Sequence, residues 1–278
     1  MKRANVVMLH VFYYAILGIG MILILFPMYI TVITAFKSPE MLARSFFALP
    51  DYVYLDNFRT VFVNSKFMMY FSNSLIITIT SVGIILFMIP ALAYSIVRNF
   101  NKKYFRYLYY MIISGVFVPF YVIMIPCVKI ASTLGIMNNK GIILFYMAFS
   151  LGIYTFLMEG YIKTVPYELE ESAIVDGCSV FQRFFRIVYP VITPMTATIA
   201  ILATLWIWND FMLPLVMLNK TDNYWTLTLF QYNFRNSYTI RYNLAFTSFL
   251  ASIIPVTVVY AFLQQYIISG LTKGALKG

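Results

Sequence analysis

The sequence predicts an all-α polytopic membrane fold, and three observations carry that prediction. Apolar runs long enough to cross a hydrocarbon core of about 30 Å recur from one end to the other. Charge is scarce: 11% of the 278 residues are charged, 62% are hydrophobic, and the mean hydropathy is +0.81. Soluble domains carry about 25% charged residues. The charges that exist gather between the runs. A segment inside a bilayer must satisfy its own backbone, which makes each run a helix.

About six spans follow, at residues 12–36, 74–97, 108–128, 142–158, 191–218 and 245–268. The first is longer than a signal-peptide core and lacks a small-residue cleavage site, so it reads as a retained helix. Lys2 and Arg3 precede it, and Arg98, Lys102, Lys103 and Arg106 crowd the connection after the second span. The short connection after the third holds only Lys129 and Lys140. The positive-inside rule then puts the N-terminus in the cytoplasm and, with an even number of spans, the C-terminus too. The net charge of +10 is thereby a matter of topology and not of nucleic-acid binding. Residues 1–36 read as N-terminus and first span, 37–72 as an extracytoplasmic loop, 73–270 as the transmembrane core and 271–278 as a cytoplasmic tail. In the 37–72 loop Phe46, Phe47, Tyr52, Tyr54 and Phe58 suggest a packed cap. Pro27, Pro90, Pro119, Pro126 and Pro255 fall inside runs and predict kinks. The membrane separates Cys127 from Cys178, so no disulfide is expected.

Several chemistries are absent from this pattern. There is no His/Cys cluster for a metal, no Walker A loop and no Gly-x-Ser-x-Gly elbow, and the only histidine, His10, sits at the edge of the first span. Ionisable residues inside spans are costly and usually functional; these spans offer almost none. The one acidic interruption is Asp210, in WIWNDFMLPL. With Trp206, Trp208 and Asn209 it has two readings. One is a sugar-accepting patch, with rings under C–H faces and amide or carboxylate on hydroxyls. The other, which the nearby span end favours, is an aromatic belt at the outer interface with Asp210 reaching water.

Residues 164–190 break the apolar pattern most sharply. Pro166 suits the first turn of a helix. Glu168, Glu170 and Glu171 load its N-terminal half with charge that the helix dipole favours, and Leu169 and Ala173 give it a narrow apolar side. Asp176-Gly177 predicts a stop, with Gly177 in the left-handed conformation. Ser179 and Gln182 form a capping box for a second helix carrying Phe181, Phe184, Phe185 and Val188, which Pro190 ends. Four acidic groups would face an anionic leaflet if this segment lay on the membrane. A helix–glycine–helix knuckle docked on another protein fits better.

This stretch resembles the EAA loop of ABC-importer permeases: Glu-Ala-Ala, three residues, Gly, nine residues, Ile-x-Leu-Pro. Glu171, Ser172, Ala173, Gly177, Ile187, Tyr189 and Pro190 stand at that spacing, with Ser172 and Tyr189 departing from it. Together with PYELEESAIVDG, NDFMLPL, NSL, AYSIVR and the ending QQYIISGLTKGALKG, the chain resembles the maltose-type carbohydrate-uptake branch, MalG-like half. The resemblance implies a type I importer fold in the bacterial cytoplasmic membrane, surrounded by lipid. The implied partners are a MalF-like second permease, a cytoplasmic ABC ATPase dimer and an extracytoplasmic sugar-binding protein. It implies ATP and Mg held by the ATPases, and no cofactor, metal or covalent chemistry in this chain. Glu170, Glu171, Ser172, Ala173, Asp176, Gly177, Ile187 and Pro190 become the ATPase-coupling loop. Trp206, Asn209 and Asp210 become candidates for the substrate path. Gly270, Leu271, Thr272, Gly274 and Lys277 form a tail expected to be too flexible for an unaided helix and to reach between the ATPases. The alternatives are an importer for another small solute or a membrane-embedded enzyme.

Overall fold

The computed structural model describes residues 2–232, 234 and 241–275. Among them there is no β-strand. Four helices are long and apolar enough to cross a membrane unbroken: Leu9–Ala35, Phe67–Arg98, Asn139–Ile162 and Tyr242–Phe262. Two further candidate spans are bent pairs, Lys103–Phe117 with Phe120–Thr133 and Val180–Val191 with Thr193–Asn209. The chain divides into two compact units, residues 1–68 with 230–254 and residues 69–229 with 255–278.

In the first unit, α1 (Lys2–Ala35) exposes apolar side chains around its circumference from Leu9 to Met28, as suits a surface facing lipid or another apolar helix. The following loop is folded. Ser38 caps α2 (Pro39–Arg44) and α3 (Asp56–Phe62) follows. Asn57, buried, donates to the carbonyls of Ala35 and Lys37 at 2.9 and 2.8 Å and accepts from Asn243 at 2.8 Å. Lys37 is also buried, its Nζ donating to the carbonyls of Ser45 and Phe46, both at 3.0 Å. Burial draws its pKa below the usual lysine value, and Asp51 opposes the shift. Lys37 is thus an internal fastener of the loop.

The second unit holds α4 (Phe67–Arg98) from Met69 onward, then α5 (Lys103–Ser114), α6 (Phe120–Thr133) and α7 (Asn139–Ile162). It continues with α8 (Glu168–Val175), α9 (Val180–Arg183), a π turn (Phe184–Val188), α10 (Tyr189–Val191), α11 (Thr193–Asn209), α12 (Met212–Leu218) and the first half of α13 (Leu227–Tyr232). Its core runs through Ile85, Ile89 and Ala93 of α4, Tyr146 and Met158 of α7 and Ile199 and Ala203 of α11.

Two predicted spans are broken: the third at Pro119, where the sequence predicts a kink, and the fifth, which reads as one run. The third turns through 106° between Phe117 and Phe120. Pro119 is extended there (ψ 136°), and Val118, held out of the helical region by the following proline ring, is extended too (ψ 112°). The fifth ends at Asn209, because Asp210 is extended (ψ 133°) and its carboxylate accepts from the Met212 amide at 3.0 Å, starting α12 afresh.

The other prolines do not interrupt their helices. Pro27, Pro90, Pro126 and Pro255 all lie inside continuous ones. Nor does Pro190 end the knuckle: α10 runs through it, and the chain turns by 75° after Val191, ahead of Pro194. The intervening π turn shifts the bonding by one residue, with the Tyr189 amide on the Phe184 carbonyl.

A second acidic residue escaped the reading of the spans. Glu159 of α7 is buried, 3% exposed, and ion-paired with Lys163 one turn on. The tail also departs from expectation. α14 (Tyr242–Ala275) carries Gly270, Leu271, Thr272 and Gly274 in helical backbone. Elongating an existing helix avoids the nucleation cost that made an isolated glycine-rich tail a poor candidate. Lys277 lies outside the described residues.

Candidate functional site

The knuckle is built by two local capping devices. α8 closes in a full Schellman motif: the Gly177 amide bonds Ile174 O at 3.0 Å and the Cys178 amide bonds Ala173 O at 2.9 Å. That geometry requires the left-handed φ of +76° at Gly177. Ser179 then caps α9 in a reciprocal box with Gln182. Pro166 stands just before α8, whose N-cap is Tyr167. Glu171, Ser172, Asp176 and Pro190 are exposed and Ile187 is partly so. Beside the acidic groups the knuckle presents Val175, 87% exposed, with Val180 and Phe181. The exposed knuckle thus combines acidic groups with apolar side chains at its tip. Ala173 is buried beneath it, but Leu169, its expected companion, is exposed.

Glu170 does not belong to that exposed face. It is fully buried, and both carboxylate oxygens are taken by α4. Arg98 donates its Nε to Oε1 at 2.7 Å, and the Tyr94 hydroxyl makes a short bond to Oε2. Arg98 also donates from Nη2 to Val165 O at 3.3 Å and lies over the Tyr167 ring at 5.3 Å. Tyr94 packs on Phe184 with ring centroids 5.1 Å apart. One turn of α4 thus grips the knuckle at its entry and its middle. The signal for Tyr94 and Arg98 lay in AYSIVR, where an aromatic and a cation stand one helical turn apart, but their partner is more than 70 positions away.

A cavity of about 1010 Å³ lies between the broken α5–α6 pair, α7 and the α11–α12 break. Its wall is largely apolar, with Trp206, Asn209 and Asp210 on one side and Tyr121 and Phe149 on others. Gly152 of α7 also lines it, and a Cβ there would meet Val116 Cγ2 at 2.4 Å. Asp210 does more than reach water at a span end. Its carboxylate, partly buried, accepts from the Tyr146 hydroxyl at 2.9 Å as well as from Met212. Tyr146 stands edge-on to Trp206, 5.4 Å between centroids. Trp208 leaves the patch altogether, buried against Phe71 at 5.8 Å. Among the described residues Asp210 is the only charged one in the lining. Beyond Tyr146 and Met212, the amides of Phe211 and Leu213 also face this carboxylate, so the break before α12 gathers donors around Asp210.

No group of His, Cys, Asp and Glu suited to a metal occurs among the described residues. Residues 83–273 match the family pattern described as binding-protein-dependent transport system inner membrane component. The chain belongs to that family.

This permease is 43% identical over 266 residues to the multiple sugar-binding transport system permease protein MsmG of Streptococcus mutans, covering 95% of this chain and 96% of the relative. It is 33% identical to the probable starch degradation products transport system permease protein AmyC of Thermoanaerobacterium thermosulfurigenes, over 96% and 98% of the two chains. Its fold matches a chain of a bacterial ABC transporter involved in the import of the acidic polysaccharide alginate, with a TM-score of 0.83 at 20% identity. That match covers 94% of this chain and 96% of the other. The type I importer fold is therefore the fold of this permease. The matched span contains the knuckle, the clasp on Glu170 and the cavity.

Proposed function

We propose that this permease is one of two transmembrane subunits of a bacterial ABC importer for an oligosaccharide or related neutral sugar. The observation that carries the reading is the pairing, in one unit, of an exposed acidic–apolar knuckle with an aromatic cavity. Carbohydrate-related names among its relatives support it. Its partners are a MalF-like permease, a pair of cytoplasmic ATPases that bind ATP and Mg, and an extracytoplasmic sugar-binding protein. The knuckle and both termini face the cytoplasm, and residues 37–72 face outward.

The mechanism is a two-state rocking biased from both sides. ATP binding closes the ATPases, the knuckle follows, and the cavity turns from inward- to outward-facing. Sugar released by the binding protein lies on Trp206, with hydroxyls on Asn209 and Asp210. No basic side chain lines the cavity among its described residues, which favours a neutral sugar over an acidic one. This chain carries out no covalent chemistry. The tail beyond α14 is assigned to the ATPase partners on the strength of the family resemblance alone.

The test is reconstitution in liposomes with a cytoplasmic ABC ATPase, a MalF-like permease and a sugar-binding protein from the same organism. Sugar-stimulated ATP hydrolysis and uptake that both require this chain bear the reading out. A purified chain that transforms a substrate without those partners sinks it.

A further inference from the structure

Pro90 has no amide hydrogen, so the carbonyl of Leu86, four residues back, loses its helical donor. The Tyr189 hydroxyl turns toward that carbonyl and donates to it at 3.4 Å, a long bond. Tyr189 is the residue that stands where the EAA loop has leucine, and leucine has no hydroxyl to offer. One residue along α4, Phe87 stacks on Phe185 of the π turn at 6.2 Å. One and two turns past Pro90, Tyr94 and Arg98 close on Glu170, and Arg98 also holds Val165 O. The knuckle therefore meets α4 at its entry, its middle and its exit. All these contacts fall on residues 86–98.

We propose that the last turns of α4, residues 90–98, move with the knuckle as one piece during transport. The helix flexes at Pro90, and Tyr94 and Arg98 are positioning residues that carry the knuckle's displacement into it. Three physical points support this. A buried carboxylate with both oxygens occupied resists separation, because losing Arg98 leaves its charge uncompensated and losing Tyr94 leaves an acceptor unsatisfied. Proline is the weakest point of a long helix, since one rung of its ladder is missing. The Tyr189 bond spans that missing rung, so the knuckle's exit sits on the hinge itself. The proposal rests on the importer reading and adds the route by which the knuckle acts on the cavity's unit.

The experiment uses the reconstituted complex and reads sugar transported per ATP hydrolysed, with the amount of assembled complex as control. Glu170→Gln and Arg98→Gln should each lower that ratio about tenfold, and the double variant should fall no further than either alone. Tyr94→Cys with Glu170→Cys, in a background of Cys127→Ser and Cys178→Ser, should lose coupling in the same way. Bridging the two thiols with a short bifunctional reagent should restore it. A purely structural role predicts less assembled complex at an unchanged ratio, and that result overturns the proposal. So does a bridge that blocks transport, since the clasp would then have to open in each cycle. An unmodified chain that couples normally beside an unaffected Glu170→Gln overturns the clasp alone. An unmodified complex that never couples uptake to hydrolysis overturns the importer reading with it.

Discussion

The knuckle and the cavity sit in the same unit and are made by opposite means. The knuckle's shape comes from contacts within a dozen residues: the Schellman bonds at Gly177 and the Ser179–Gln182 box. The cavity's shape comes from two helix breaks and from pairings across the chain, such as Tyr146 with Asp210, 64 positions apart. The first region is a rigid handle specified locally. The second is a space left between elements that can bend. A transporter needs both, because force must enter through something stiff and be spent on something that changes shape.

The largest expected effect tests where the handle ends. Arg98→Ala leaves Glu170 buried without its cation, a loss of about 3–5 kcal/mol for such pairs. It should free the knuckle from α4 and be read as faster proteolysis between residues 164 and 190 in detergent. Unchanged protection would mean that the knuckle holds itself and the two regions are less coupled than the geometry indicates.

The middle effect concerns the cavity. Asp210→Ala removes the acceptor for Tyr146 and for the Met212 amide, and any bond to sugar, at about 1.5–3 kcal/mol for a charged acceptor. Apparent affinity for sugar in uptake assays should fall about tenfold or more. Asp210→Asn should be milder, since an amide oxygen still accepts. Equal and normal transport by both variants would remove Asp210 from the substrate path.

The smallest is the turn itself. Gly177→Val places a β-branched residue at φ +76°, which costs about 1–2 kcal/mol. Nothing lies within 4 Å of an added Cβ, so the strain is in the backbone alone. Membrane insertion should be normal and uptake per ATP reduced. Full coupling would show that the knuckle tolerates a different turn.

The same contrast explains what the sequence made legible. Gly177, Ser179 and Gln182 could be read because capping is a property of adjacent residues. The turns at Pro119 and Asp210 were visible only as interruptions, since a proline predicts a kink but not whether the helix resumes in line. Pro90 makes the point from the other side: its helix continues, and the group that bonds the freed carbonyl, Tyr189, lies 103 positions from Leu86. Glu170 was assigned with its neighbours to the docking face because charge alone does not reveal burial. Only the fold brings Tyr94 and Arg98 to it.

The most direct test of the account labels the knuckle's tip. Val175→Cys, with Cys127→Ser and Cys178→Ser, offers one thiol at an 87% exposed position. A membrane-impermeant maleimide should leave it unlabelled on intact cells and label it once the membrane is opened, and the assembled ATPase should shield it. Labelling of intact cells, or equal labelling with and without the ATPase, would contradict the claim that this knuckle is where the ATPases drive transport.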